Sequence, residues 1–251
     1  MTAAPAAARG AGTPPRRTVP EDHHHGHRDV SGGWLRATVF GVMDGLVSNT
    51  ALIVGLHAAG ASDRTVLLTG VAGLLAGAFS MATGEYTSVS SQNESVLAEV
   101  ANEALELSRN AEAEEAELAE LYRRRGLEPA LAAEVAAALS RDPVSALRVH
   151  SREELGVDPD QLPSPWTAAG ASMAAFSVGA AVPTLPFLVG GPAALLIALL
   201  ATAFALFGAG LLVSRFTSRS AVWTGLRQLL LGAVACAVTW AVGAAIGVGV
   251  G

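Results

Sequence analysis

Lysine is absent from this sequence, cysteine occurs once, and only 15% of the 251 residues are charged. The low charge, together with a hydrophobic content of 51%, excludes an ordinary soluble domain and is typical of a small membrane protein with several spans. A single cysteine, Cys236, excludes a disulfide framework and a cysteine-based metal site. The formal net charge of −6 argues against a nucleic-acid partner.

Long apolar segments predict an all-α membrane protein with five transmembrane helices. Segments 34–57 and 65–85 are each long enough to cross a hydrocarbon core of about 30 Å. Two more spans share stretch 166–214, which prolines and glycines near its middle divide into a helical hairpin, and the fifth begins near Arg227. The predicted organisation is a disordered His-containing tail (1–33), spans one and two (34–91), a cytoplasmic helical metal-binding insert (92–165) and spans three to five (166–251).

Arginine placement predicts the orientation. Four arginines precede the first span and three lie between the fourth and fifth, whereas the turn after the first span contains only Arg64 and the turn after the third contains none. By the positive-inside rule, the N-terminus and the insert are cytoplasmic and the C-terminus lies outside.

The first span carries one carboxylate. Asp44 is the only charged side chain between Arg36 and Asp63, and a charge at the helix centre costs about 2.5–3.5 kcal/mol on insertion scales. Such a group faces a partner, a cavity or a substrate path; alternatively, Asp44 reaches the headgroup region. Gly41 and Gly45 flank it at four-residue spacing, which allows a neighbouring helix to approach closely.

The insert carries most of the acidity, since residues 94–160 hold sixteen Asp or Glu and seven Arg. Helical periodicity predicts four helices, of which the first is continuous with span two. The second begins after Asn110, the third at Pro129 and the fourth at Asp142. The predicted apolar face of the first comprises Leu97, Val100, Ala101, Ala104 and Leu105.

The candidate metal ligands of the insert are two pairs of glutamates, each pair one helical turn apart, with a glutamate and a histidine on the last helix. They are Glu103, Glu106, Glu114, Glu117, Glu154 and His150. Oxygen ligands with one imidazole suit Mn²⁺, Fe²⁺ or Zn²⁺. Alternatively, the glutamates form only a solvated helix face.

The tail contains the run Glu21-Asp22-His23-His24-His25-Gly26-His27. Carboxylates and imidazoles in such a run can capture a divalent metal loosely. Alternatively, the run is a solvated low-complexity tract or a remnant of cloning.

Several ordered motifs resemble the signature of the vacuolar iron transporter family: DGLVSN at 44–49, GAFSMATGEY at 77–86 and then Gln92. Within the insert, RGL at 125–127 and EELG at 153–156 are similar as well. The resemblance covers about residues 32–251. It implies a five-span homodimer in the lipid bilayer that exports Fe²⁺, and in several relatives Mn²⁺, from the cytosol in exchange for protons. Similarity to bacterial members implies the bacterial plasma membrane.

The resemblance also assigns site residues. The family's path-lining aspartate and methionine fall on Asp44 and Met81; taken alone, Met81 is a common filler of core gaps. Glu85, one turn beyond Met81, is a candidate for the cytoplasmic mouth or for a proton carrier. The family's insert ligands fall on the five insert glutamates named above, and His150 stands where plant-like relatives have methionine. No cofactor is implied beyond the transported or regulatory metal.

Two other function classes stay open. A ferritin-like di-metal oxidase needs two Glu-x-x-His motifs on facing helices, and the insert has one histidine and no such motif. A membrane-anchored metal sensor or scaffold would use the spans only as an anchor, which needs neither Asp44 nor Met81. The expected protein is therefore a transporter rather than an enzyme.

Overall fold

The computed structural model describes residues 33–215 and 219–250, and every regular element within these ranges is helical. The predicted tail, 1–33, thus lies outside the described residues except for Gly33. The helices are α1 (Gly33–Ala58), α2 (Asp63–Arg109), α3 (Ala111–Arg124), α4 (Pro129–Leu139), α5 (Pro143–Glu153), α6 (Pro165–Thr184), α7 (Pro186–Val189), α8 (Ala194–Ser214) and α9 (Ala221–Val250). A short 3₁₀-helix, Pro159–Gln161, precedes α6.

Four of the described helices are long and apolar enough to cross a membrane: α1, α2, α8 and α9. The predicted third span, α6, has 20 residues but is rich in alanine, glycine and serine and falls short in apolar character. Its main contacts are with α1 and α2, and it also touches α8. A helix enclosed by other helices needs small residues for close packing rather than large ones for lipid. The span count therefore depends on α6.

The backbones of α1 and α6 touch. A Cβ atom added at Gly45 would lie 2.3 Å from the carbonyl oxygen of Phe176, and one added at Gly179 would lie 2.3 Å from that of Val42. Only glycine permits such a crossing, so the predicted close approach of a helix at Gly41 and Gly45 is confirmed, and the approaching helix is α6.

Helix α2 runs unbroken for 47 residues, a length of about 70 Å. It begins after Ser62, whose hydroxyl accepts a hydrogen bond from the Thr65 amide, and it contains no proline. Its first part packs on α1 and α6, and its last part contacts α3 and α5 of the insert. The prediction that span two continues into the insert as one helix is confirmed.

The remaining insert helices begin where the sequence predicts. The Glu128 carboxylate accepts a hydrogen bond from the Ala130 amide, and the Asp142 carboxylate accepts one from the Ser145 amide, so each caps a helix that starts with proline. Asn110 precedes α3, but its side chain makes no capping hydrogen bond.

The predicted apolar face of α2 within the insert is confirmed at Val100, which is buried, and is otherwise largely wrong. Leu97 and Leu105 are each 50% exposed, whereas Glu103 is buried. The reason is that α5 places His150 against Glu103, so the buried face of α2 includes a carboxylate. Hydrophobic periodicity cannot predict a buried polar contact of this kind.

The hairpin between α6 and α8 is confirmed. Pro183 lies in the last turn of α6, and the connection contains the short helix α7 and two glycines with positive φ, Gly190 and Gly191. Helix α9 begins at Ala221, somewhat before the predicted start near Arg227.

Candidate metal sites

A cleft of about 230 Å³ lies between α1, α2 and α6. Asp44 and Met81 both line it, together with Ser48, Asn49 and Ser80. The two predicted path residues are therefore brought together. Glu85 does not line the cleft and lies one helical turn farther along α2.

The cleft follows from the spacing of residues on two antiparallel helices. On α1, Arg36, Phe40, Asp44 and Ser48 recur every four residues and share one face. On α2, residues 73, 77, 81 and 85 do the same in the opposite direction. The two rows lie side by side, with Asp44 and Met81 in the cleft and Arg36 near Glu85 at one end.

Three glycines of α2 admit neighbours from the same chain. A Cβ atom added at Gly77 would lie 2.2 Å from the Phe176 ring, and one at Gly73 would lie 2.7 Å from Asn49 Oδ1. Gly70 faces Thr184 of α6, whereas Gly84 has nothing within 4 Å. Helix α2 is thus closely packed against α1 and α6 through three of these glycines.

Within the cleft, the Asp44 carboxylate accepts a hydrogen bond from the Ser48 hydroxyl. Asp44 is half-buried, and it forms no ion pair with any residue of the described ranges. Its charge is therefore available to a cation. Met81, also half-buried, adds a thioether sulfur, which is a soft and weak ligand.

Asn49 is the site residue to which sequence reasoning assigned no role. Its buried side-chain amide Nδ2 donates toward Gly70 O at 3.1 Å, Ala180 O at 2.9 Å and Thr184 Oγ1 at 2.7 Å. It thereby joins α1 to both α2 and α6 beside the cleft. The available signal was an amide side chain inside an apolar span, where a polar group needs partners.

In the insert, three ligand atoms from two helices meet in the interior. His150 Nδ1 of α5 lies 3.0 Å from Glu103 Oε1 of α2 and 3.0 Å from Glu154 Oε1. Glu154 lies at the end of α5, one helical turn after His150. Glu114 Oε2 of α3 is 4.0 Å from the same nitrogen. His150 is completely buried, and Glu103 and Glu114 are nearly so.

These atoms are close together without being aligned as hydrogen bonds. Glu103 Oε1, Glu154 Oε1 and both ring nitrogens of His150 are buried and lack a hydrogen-bond partner. Buried polar atoms are nearly always satisfied, so unsatisfied ones call for a partner such as a metal ion or a water molecule. Because the three ligand atoms lie within 4.8 Å of one another, one metal ion can contact all of them.

The electrostatics of this cluster favour a cation. Burial, and next the charge of Glu154, raises the pKa of Glu103, while His150 opposes this effect. Burial also raises the pKa of Glu114 and of Glu154. Ionising several carboxylates that are buried together costs free energy, and a divalent ion between them lowers that cost.

Glu106 and Glu117 are exposed at the edge of the cluster. Their charges contribute to the raised pKa values of Glu103, Glu114 and Glu154, so they lie near the buried carboxylates. The six predicted insert ligands therefore gather in one region, four in the interior and two at its rim. Their function as ligands stays a prediction.

Comparison with known proteins yields a consistent set of similarities. The family model described as "VIT family" matches residues 35–244. A "Vacuolar iron transporter" of Acanthamoeba castellanii is 36% identical over 235 residues, covering 90% of this chain and 81% of the relative. "Vacuolar iron transporter 1" of Arabidopsis thaliana is 31% identical (90% and 91% covered), and that of Oryza sativa subsp. japonica is 32% identical (89% and 90%). The matched region includes both the cleft and the insert.

Proposed function

Because this chain belongs to the VIT family, we propose that it carries Fe²⁺, Mn²⁺ or both across a membrane, out of the cytosol. The observation that carries this proposal is the cleft in which Asp44 and Met81 face the same space between apolar helices. A charged ligand and a weak soft ligand together suit a site that must bind an ion and then release it. The protein is an integral membrane protein, and the proposed location is the bacterial plasma membrane.

We propose that α6 is the third of five spans. Helix α2 leads into the insert and α6 leads out of it, and a connection of nine residues joins α6 to α8. If α6 did not cross, α8 would run away from the insert side, and the arginines that follow it would lie outside. A crossing α6 puts Arg215, Arg219 and Arg227 on the same side as the insert, in accord with the positive-inside rule.

We propose proton exchange as the driving reaction. An aspartate inside a span can hold either a metal ion or a proton, which is the minimum requirement for antiport. Asp44 has this position, and Glu85 is placed to accept ions or protons next along α2. The family resemblance further leads us to propose a homodimer.

The insert is proposed to bind the same ions before they enter the cleft. Glu103, His150 and Glu154 provide two hard oxygen ligands and one imidazole, a set that fits Fe²⁺, Mn²⁺ and Zn²⁺. Glu114 is close enough to complete the set with a small movement. No catalytic step is assigned to this cluster.

Flux measurement in proteoliposomes tests the proposal. Wild-type protein should move Fe²⁺ or Mn²⁺ when an opposing proton flow drives the exchange. Asp44→Asn should reduce this flux more than the roughly 10–100-fold by which loss of an outer-shell partner lowers metal affinity or activity. A metal sensor would bind ions without flux, and an oxidase would consume oxygen with Fe²⁺. Normal flux through Asp44→Asn would remove Asp44 from the path.

A further inference from the structure

One ion pair lies at the end of the cleft. Arg36 Nη2 of α1 is 3.9 Å from Glu85 Oε2 of α2. These residues continue the two facing rows, since Arg36 lies two turns before Asp44 and Glu85 lies one turn after Met81. An ion that approaches the cleft from this end meets the pair first.

The two partners differ in exposure. The Glu85 side chain is only 12% exposed, whereas that of Arg36 is 77% exposed. A distance of 3.9 Å is too long for a hydrogen bond, so the guanidinium is held by charge alone. The carboxylate is thus largely buried, while the arginine can move into water at little cost, because ion pairs with an exposed partner contribute little.

Given the proposed transport function, we propose that Arg36 is an exchangeable counter-ion of Glu85, which a divalent cation displaces on its way to Asp44 and Met81. At equal distance a divalent ion attracts the carboxylate twice as strongly as a guanidinium or a monovalent ion does. Arg36 therefore raises the metal concentration needed to occupy the cleft and disfavours monovalent cations. Arg36 thus acts on ion specificity through its pairing with Glu85 and does not itself line the cleft.

Labelling of the cleft tests this inference without transport. In full-length protein carrying Cys236→Ala, which removes the native thiol, Ser80→Cys introduces a reporter thiol in the cleft. The protein is placed in nanodiscs and reacted with a cationic or with a neutral methanethiosulfonate of similar size. Arg36→Gln should speed the cationic reaction about twofold to fivefold and leave the neutral one unchanged, as expected for loss of one partly exposed charge.

A second arm uses Mn²⁺ as competitor. Mn²⁺ should protect the reporter thiol in every variant, and at about twofold to fivefold lower concentration when Arg36→Gln is present. Arg36→Lys, which keeps the charge, should behave like wild type. Arg227→Gln removes an exposed arginine of α9 and is the matched control, which should also have no effect.

The outcomes separate the two hypotheses. An unchanged cationic rate in Arg36→Gln, or an equal change in Arg227→Gln, overturns the role of Arg36. Absence of both Fe²⁺ and Mn²⁺ flux in wild-type proteoliposomes overturns the transport function, and the labelling rates still decide whether Arg36 controls cations in the cleft. If Arg36→Gln does not fold by size-exclusion chromatography, Arg36→Met carries the same expectation.

Discussion

His150 Nδ1 and Glu103 Oε1 lie 3.0 Å apart in the interior of the insert, yet neither atom has a hydrogen-bond partner. The two residues come from helices α5 and α2 and are more than forty positions apart in the sequence. Glu154 Oε1 is equally close to the same nitrogen and is also unsatisfied. The protein thus keeps an interior cluster of polar atoms that one added metal ion would contact together.

Glu103→Gln should separate the effect of the buried charge on stability from its effect on metal binding. The substitution removes a buried charge, so the metal-free protein should unfold at the same or a higher temperature. Mn²⁺ should stabilise wild type by about 2.7 kcal/mol at one hundred times its Kd and should stabilise Glu103→Gln far less. Thermal unfolding with and without Mn²⁺ measures both effects.

Glu99→Gln is the matched control for this measurement, because Glu99 is exposed on α2 one turn before Glu103. It should show the same metal-dependent stabilisation as wild type. If Glu103→Gln is stabilised by Mn²⁺ as strongly as Glu99→Gln, the buried cluster is not a metal site.

Asn49→Ala should destabilise the membrane part by about 1–3 kcal/mol, because it removes three buried hydrogen bonds that join α1 to α2 and α6. The affected groups are Ala180 O, Gly70 O and the Thr184 hydroxyl on two neighbouring helices. Thr83→Ala is the control, since the exposed Thr83 hydroxyl donates only to Phe79 O within its own helix. Equal unfolding temperatures of the two variants in detergent would contradict the importance of Asn49.

Ser90→Gly with Ser91→Gly should weaken the connection between the membrane part of α2 and the insert, because each glycine costs a helix about 1 kcal/mol. If metal binding in the insert acts on the cleft through a rigid α2, flux should fall at low metal concentration and recover at saturation. Ser90→Ala with Ser91→Ala keeps the helix stiff and should behave like wild type. Initial flux against Mn²⁺ concentration is the measurement.

The alanine substitution of two insert ligands, Glu106→Ala with Glu114→Ala, should give the same defect at low metal concentration. Should the diglycine variant match wild type while this variant fails, the insert delivers ions to the cleft without moving α2.

Deletion of residues 1–30 should leave the maximal flux nearly unchanged. A run of histidines before the first span can raise the local metal concentration, so the deletion should at most increase the concentration for half-maximal flux. Flux in proteoliposomes containing equal amounts of folded full-length and shortened protein provides the comparison. A lower maximal rate would indicate that the tail acts on the path itself.

The family resemblance predicted that Asp44 and Met81 line one path, and the spacing of residues on α1 and α2 explains how they meet. Asp44 and Met81 meet because a short turn makes α1 and α2 antiparallel, so four-residue repeats on both helices face each other. The role of Asn49 could not be predicted in this way, because it depends on the register of α6, more than one hundred residues later. The buried face of α2 in the insert was mispredicted for a similar reason: only the fold shows that Glu103 is covered by His150.

The composition of α6 has a consequence for how the protein is made. A segment whose apolar character falls short of that of the other spans partitions weakly into lipid when it leaves the translocon alone. Its glycine and alanine surface becomes favourable only against the grooves of α1 and α2, which are synthesised first. If α6 crosses the membrane as proposed, we expect cooperative integration in which early helices form the docking site for a later one. Mutations at Gly45 or Gly179 would then act during biogenesis, by leaving α6 on the wrong side of the bilayer.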